Sequence, residues 1–360
     1  SQMVMSGDSD YDAAYLPVYF HPAVATEGYL ADLRTIPELD FEKPWWDNAL
    51  NDEMEIAGKL YTASSALNFM SFDLSWVLLF NENMMEQQGI TAPYDTVRDG
   101  KWTYDRFGEY IRAGVSDLNG DGEYKRNEDR FGVATNIDFW FPNFWISAGE
   151  LSVLNNDGNL IFNAPGNEKF VDTLTYCVSL LSENGNVNLI DPAKRSDVLQ
   201  TFANNMAYMA CTSLGRIGLL REMKDDYGVL PFPKYDENQS KYLSMADVYG
   251  MLFSVPVTTP EPDFSGFMLE ALSSASEEVL YNYYEVTCKV KHTYDEDSAE
   301  MLDLIFDGIV YDLGMVYSSL GISETLWSMC DRKKNELVTK YAKIESKANQ
   351  KLDEIIESCG

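Results

Sequence analysis

The chain has 360 residues, with 45% hydrophobic and 13% aromatic content, ample for more than one packed core. Its 27 basic side chains face 58 acidic ones, a formal charge of −31, which argues against nucleic acid as a partner because a polyanion repels phosphate backbones. Two histidines in the whole chain, and five cysteines without a C-x-x-C pair, argue against a zinc site and a histidine-dependent triad.

Cys177, Cys211, Cys288, Cys330 and Cys359 are odd in number, which speaks against a disulfide framework. Cys177 and Cys211 lie in apolar runs and read as buried, inert thiols. No run approaches the ~20 apolar residues of a membrane span. The opening SQMVMSGDSDYDAAYL has no initiator Met and no signal peptide, and an upstream segment is expected.

In chain order, Tyr11 to Leu16 predicts a short buried strand, followed by a loop with Pro17, His21 and Pro22 and a small helix through Glu27 and Leu30. Pro44-Trp45-Trp46 is a Pro-aromatic corner assigned to packing. Gly58 to Tyr61 reads as a turn into a strand, and Asp73 to Phe80 as a fully apolar strand past Ser75. Thr103 is a candidate N-cap, Asp105 suits the first turn, and Phe107, Tyr110, Ile111 and Val115 fall at helical spacing.

That helix runs into DLNGDGEYKRNE, Asp117 to Glu128, which has the spacing of a calcium loop. Asp117, Asn119 and Asp121 at alternate positions supply hard oxygen ligands, and Gly122 permits the sharp turn. Glu123 offers a carbonyl and Glu128 a carboxylate, with Asp129 competing for the closing role. A sensor hand has helices on both flanks and works in pairs. Here the following Phe131 to Ala134 reads as a strand, so calcium is expected to be structural.

Leu151 to Phe162 predicts a hairpin about Asn156-Asp157-Gly158-Asn159. A helix with Phe170, Leu174, Cys177, Val178 and Leu181 on one face follows, then strands at Asn205 to Thr212, Tyr227 to Leu230 and Tyr249 to Val255. After Pro262 the pattern turns helical. The final stretch, 331–358, puts Leu337, Tyr341, Ile344, Ala348, Leu352 and Ile355 on one stripe. Short apolar strands alternating with amphipathic helices define an α/β protein.

Several phrases, in order and spacing, resemble one family: YDAAYLPV, GYLADL, DFEKPWW, GKLYTAS, LLFNENMMEQQGI, DGKWTYDRF, DLNGDG, EDRFGVA, YGVLPFPKYDENQSKY and VYDLG. Together they are similar to family 1 extracellular solute-binding proteins, the carbohydrate receptors of ABC importers in Gram-positive bacteria. The resemblance runs from Tyr11 to about Leu313. It implies a two-lobe, type II periplasmic-binding-protein-like fold, hinged, with ligand between the lobes and a structural calcium loop in some members. It implies a lipid anchor outside this chain, a cell-surface location, an ABC permease as partner and a monomer. The family's signal sequence, first strand and helix do not precede YDAAYL, so the first lobe is expected to be incomplete there. The expected division is lobe 1 over 1–81, lobe 2 over 82–250, a return to lobe 1 over 251–300, and helices over 301–360 packing on lobe 2 and the hinge.

A sugar receptor needs aromatic platforms and a few fixed polar groups, placed beyond the carboxyl ends of strands. By that rule the candidates are Tyr15 and Tyr19 after the first strand, Ser71 and Asp73 at the hinge crossing, and Asn136, Asp138, Phe139 and Trp140 after FGVAT. Thr212 and Ser213 after NMAYMAC, Tyr249 after SMAD, and Trp327 from the terminal helices complete the set. Trp140 leads, because IDFWFPNFW is too aromatic for an ordinary loop. An uncharged sugar is the expected ligand of so acidic a chain. Two rivals remain: a carbohydrate-active hydrolase using Asp73 and Asp138 as its carboxylate pair, and a calcium-stabilised surface adhesin.

Overall fold

The computed structural model describes residues 2–163, 166–291, 293, 295–317, 320–322, 324–325, 328–329 and 336–360. The first strand, β1 (Ala14–Pro17), leads into helix α1 (His21–Thr26). Then come β2 (Trp76–Asn81), α2 (Tyr104–Gly114), β3 (Phe131–Asn136) and α3 (Ile137–Ser147). The hairpin β4 (Val153–Asn156) and β5 (Asn159–Phe162) precedes α4 (Glu168–Ser182), β6 (Val187–Ile190), α5 (Ser196–Ala203) and β7 (Ala207–Ser213). Strands β8 (Tyr227–Leu230), β9 (Ser244–Met245) and β10 (Met251–Ser254) are followed by α6 (Pro262–Asn282), α7 (Glu296–Phe306), β11 (Ile309–Val310) and α8 (Leu337–Cys359).

One lobe is built on a five-stranded sheet of order β6-β3-β7-β2-β8. β3 runs parallel to β6 and β7, and β2 antiparallel to β7 and β8, with Leu78 opposite both Cys211 and Leu230. Every residue of β2 is buried, which explains its unbroken apolar run. Its side chains alternate: Trp76, Leu78 and Phe80 enter a core with Trp102, Phe107 and Phe144, while Val77 and Leu79 enter a second core with Phe202, Leu302 and Ile305.

β2 therefore belongs to this sheet, and the lobe boundary falls before Trp76 rather than at residue 81. The chain crosses at three neighbouring segments. Ser75 bridges Ala246, the Asp247 N–H donates to the Leu74 carbonyl at 3.0 Å, and β11 pairs with β9. Three adjacent crossings of this kind are the arrangement on which hinged two-lobe proteins turn. In the other lobe β1 pairs antiparallel with β10, Tyr15 opposite Phe253 with rings stacked at 4.6 Å, and Ala63 bridges Phe253 from the far side.

The hairpin forms as its sequence dictates, with Asp157 at φ 51° and Gly158 at φ 82°, the two left-handed residues of a tight primed turn. IDFWFPNFWIS is not a loop. It is helix α3, buried from Asp138 through Ser147, and its hydrophobicity on all sides hides the helical period. Helix α8 spans the hairpin and both lobes. Tyr341 stacks on Phe162 at 5.8 Å, and the Tyr61 hydroxyl donates to the Cys359 carbonyl at 2.9 Å. Cys177, Cys211, Cys288 and Cys359 are buried, and burial pushes the Cys211 thiol up to about 12, so it stays protonated and inert. Cys330 lies outside the described residues. Among the described residues no helix is long and apolar enough to cross a membrane.

Candidate ligand cleft and acidic loop

Parallel strands deliver their carboxyl ends to one edge of the sheet. β3 ends at Asn136 opposite Ile190 of β6, and β7 ends at Ser213 opposite Trp76, where β2 begins. A cavity of about 280 Å³ opens there, lined by Leu74, Trp76, Asn136, Arg195, Ser213, Arg216, Asp247 and Tyr249. Its position is the switch point at which open α/β sheets bind ligands. Asp247 and Tyr249 come from the segment just past the hinge, so both lobes contribute.

The walls are aromatic. Trp76 packs on Phe139 at 4.2 Å, and Tyr249, 49% exposed, meets Tyr19 edge-on at 5.2 Å. Between these platforms lies Arg195, its guanidinium 4.8 Å from the Phe139 ring centre and 5.9 Å from that of Tyr249. Arg195 donates to Asp138 at 2.7 Å. Asp138 sits in the first turn of α3, where the helix dipole also favours a carboxylate.

Polar groups remain open. Trp76 Nε1 and Asp138 Oδ1 are buried without a hydrogen-bond partner. A buried donor and a buried acceptor left unmade are costly, and a hydroxylated ligand satisfies both. Burial pushes the Asp247 carboxyl upward, opposed by the Tyr249 N–H that it accepts at 3.1 Å.

The sequence candidates are distributed unevenly around this cleft. Asn136 and Tyr249 line it, Asp138 anchors its arginine and Tyr19 backs its aromatic rim. Tyr15 is drawn aside, stacked on Phe253 with its hydroxyl on Asn68 Oδ1 at 2.9 Å. Asp73 accepts from the Tyr283 hydroxyl at 2.6 Å, and Thr212 is buried within β7 while its neighbour Ser213 reaches the cavity. Trp140 corrects the leading expectation. It is 1% exposed, packs on Phe144 and points its Nε1 at the Cys177 carbonyl, because its side of α3 faces the lobe core. Trp327 lies outside the described residues. Sequence reading missed Trp76, Arg195, Arg216 and Asp247, although Arg195 and Arg216 follow strands β6 and β7 and the strand-end rule applies to them too.

Ser71 lines a larger cavity of about 810 Å³ together with Trp45, Trp46, Ser64, Asn68, Tyr281 and Tyr311. It is away from the strand ends, and several of its polar groups are already engaged. Trp45 and Trp46 donate to the two oxygens of Glu270 at 3.1 and 2.9 Å, so both indole N–H groups are engaged within the protein. The cavity at the strand ends is the candidate site, because buried polar atoms without partners lie beside it and segments of both lobes line it.

The acidic loop projects between α2 and β3, its neck closed by Ser116 paired with Arg130. Asp117 accepts from the Gly120 and Gly122 N–H groups at 2.7 and 2.8 Å. Asn119 Nδ2 donates to Asp121 at 3.3 Å and to Glu128 at 3.4 Å, so the carboxylates of Asp121 and Glu128 converge on one amide nitrogen. Lys125 Nζ stands 3.3 Å from Asp121 and also pairs with Glu123. Asp129 is fully buried and accepts from the Leu118 and Lys125 N–H groups, both at 2.9 Å, which ties the loop ends together. Among the described residues no three His, Cys, Asp or Glu side chains gather closely enough to hold a metal as they stand. The donor chemistry suits calcium once the lysine yields its place.

No curated protein matches this sequence. Solved structures do match its fold. The ABC substrate-binding protein Lmo0181 from Listeria monocytogenes, solved in complex with cycloalternan, is similar at TM-score 0.63 and 14% identity over 98% of this chain and 87% of its own. The apo form of RafE from Streptococcus pneumoniae gives 0.60 and 16% over 97% and 86%. UgpB from Mycobacterium tuberculosis, in complex with glycerophosphocholine, gives 0.61 and 14% over 98% and 86%. At these identities the likeness establishes the two-lobed solute-binding fold. The family model matches residues 1–274, and the chain belongs to the bacterial extracellular solute-binding proteins.

Proposed function

We propose that this solute-binding protein captures a sugar or sugar oligomer between its lobes and delivers it to an ABC importer, with no covalent step. The observation that carries the reading is the cleft at the strand ends. Two aromatic platforms, Trp76 with Phe139 and Tyr249 with Tyr19, flank an unpaired indole N–H and an unpaired carboxylate oxygen. Sugars present C–H faces and a hydroxyl rim, and this surface complements both. The sugar named with one similar structure, cycloalternan, supports the class.

Ligand contact across both lobes stabilises the closed form by its differential affinity, and closure presents a surface to the permease. The protein acts as a monomer, held at the cell surface of a Gram-positive bacterium by a lipid anchor outside this chain. Asp73 and Asp138 each hold a partner, Tyr283 and Arg195, which disfavours the hydrolase alternative. Calcium, held by Asp117, Asn119, Asp121 and Glu128 with the Glu123 carbonyl, would neutralise the loop's charge and brace α2 against β3.

A thermal-shift and calorimetric screen against mono- and oligosaccharides tests the reading, with small-angle scattering on each hit. The expected result is a raised Tm and a smaller radius of gyration. Hydrolysis of a hit, abolished by Asp73→Asn or Asp138→Asn, overturns it in favour of an enzyme.

A further inference from the structure

Arg216 lines the cleft from the 3-10 turn Leu214–Leu220 that follows β7. Among the described residues it has no carboxylate within ion-pair distance and no hydrogen-bond acceptor, although the chain carries 58 acidic side chains. Most of the other described arginines are engaged. Arg34, Arg98, Arg106, Arg112, Arg126 and Arg195 each contact a carboxylate. Arg130 donates to the Gly114 carbonyl, and Arg221 is solvent-exposed.

The neighbourhood does not quench Arg216. Asp138 is committed to Arg195 at 2.7 Å, and Arg195 repels Arg216. Asp247 lies close enough to attract it but not to bond it, and holds the Tyr249 N–H instead. A half-buried guanidinium without a partner is a poor arrangement for an empty site and a good one for an anionic ligand, since its planar fork of donors matches a carboxylate or phosphate bidentately.

We propose that the solute carries an acidic group, carboxylate or phosphate, which docks on Arg216 while its sugar ring lies between the aromatic platforms. The preferred ligand is then a sugar acid or sugar phosphate rather than a neutral sugar. This rests on the receptor reading above and narrows it. The ligand's hydroxyls take the remaining open groups, receiving from Trp76 Nε1 and donating to Asp138 Oδ1. Burial of the acidic group beside Arg216 in an otherwise acidic protein gives selectivity, because a neutral sugar leaves the cation unpaired.

Calorimetry on the full chain uses matched pairs: galactose with galacturonate, glucose with glucose 6-phosphate, and a neutral and a uronate disaccharide. The carboxylate and phosphate arms identify which acidic group is preferred. The expected result is at least tenfold tighter binding of the acidic member of one pair, weakening as salt rises. Arg216→Gln, at a half-exposed turn position, is expected to remove that preference while its ligand-free Tm stays near wild type. Neutral members binding as tightly as acidic ones, or an acidic preference that survives in Arg216→Gln, overturns the proposal and leaves the receptor reading intact. In that case Arg216 serves only to pair with Asp247 on closure. No response to any member, with no compaction in scattering, overturns the receptor reading and this proposal with it.

Discussion

His21 opens α1, directly behind the segment that carries Tyr19, and its imidazole is 1% exposed with neither ring nitrogen hydrogen-bonded. Burial pushes its pKa down to about 4, against an unfolded value near 6.5. The folded protein therefore keeps this ring neutral, while below pH ~6.5 the unfolded chain takes up a proton that the fold refuses. Stability from this residue is intact above that pH and falls as the pH drops towards the folded value. The gap is worth about 3 kcal/mol in full, with about 2.5 kcal/mol of it already lost at pH ~4.5. His21→Leu keeps the volume and removes the titration. Urea denaturation of both proteins from neutral pH to pH ~4.5 isolates the effect, since the carboxylates titrate in both and cancel in the difference. The variant's stability should gain about 2.5 kcal/mol on wild type across that range. Parallel pH profiles would refute the argument, because they would mean that the folded ring finds a proton acceptor or water.

Asp312 is a second buried titratable group, accepting from Trp145 Nε1 at 2.6 Å, the Ser152 N–H at 3.0 Å and the Gly314 N–H at 2.9 Å, as well as from the Ser152 hydroxyl. Asp312→Ala strands these donors and should cost about 3–5 kcal/mol in urea unfolding; a loss below ~1 kcal/mol means the donors find other partners. Trp140→Ala and Tyr249→Ala should separate core from cleft. The first should lose about 3–5 kcal/mol of stability as a cavity opens in the lobe. The second should keep its Tm and weaken sugar binding, and the reverse pattern in calorimetry would dismiss the cleft assignment. Added calcium should raise the Tm and chelation should lower it, with Asp121→Asn blunting both; equal melting with chelator and excess calcium would remove the metal from the loop.

Much of the architecture is written locally. Alternating side chains on a strand with both faces covered must all be apolar, and WVLLFN shows it. Asp157-Gly158 supplies the two left-handed residues of its turn, and the Asp117 to Glu128 loop is legible because its spacing is set by backbone geometry alone. The acidic loop and the LLFN end of that strand are also among the phrases that carried the family resemblance. α3 was illegible as a helix because a segment buried on all sides has no amphipathic period to display, and Pro142 within it reads as a breaker.

The cleft was half legible. A rule that ligands gather beyond strand ends is a statement about sequence neighbours, and it pointed to Asn136 and Tyr249, which line the cavity, and to Asp138, which pairs with its Arg195. It could not tell that Trp140 lies on a side of α3 turned into the lobe core. The expectation of a neutral ligand came from the net charge, which sums over the whole surface and says nothing of a single cleft. Sequence alone determined the fold class, the hairpin, the acidic loop and the neighbourhood of the site. Tertiary structure decided which aromatic side chains line the cavity and which of its two arginines stays unpaired. Those depend on side-chain direction and on the distances between segments far apart in the chain, where hydrogen bonds and ion pairs are made or left open.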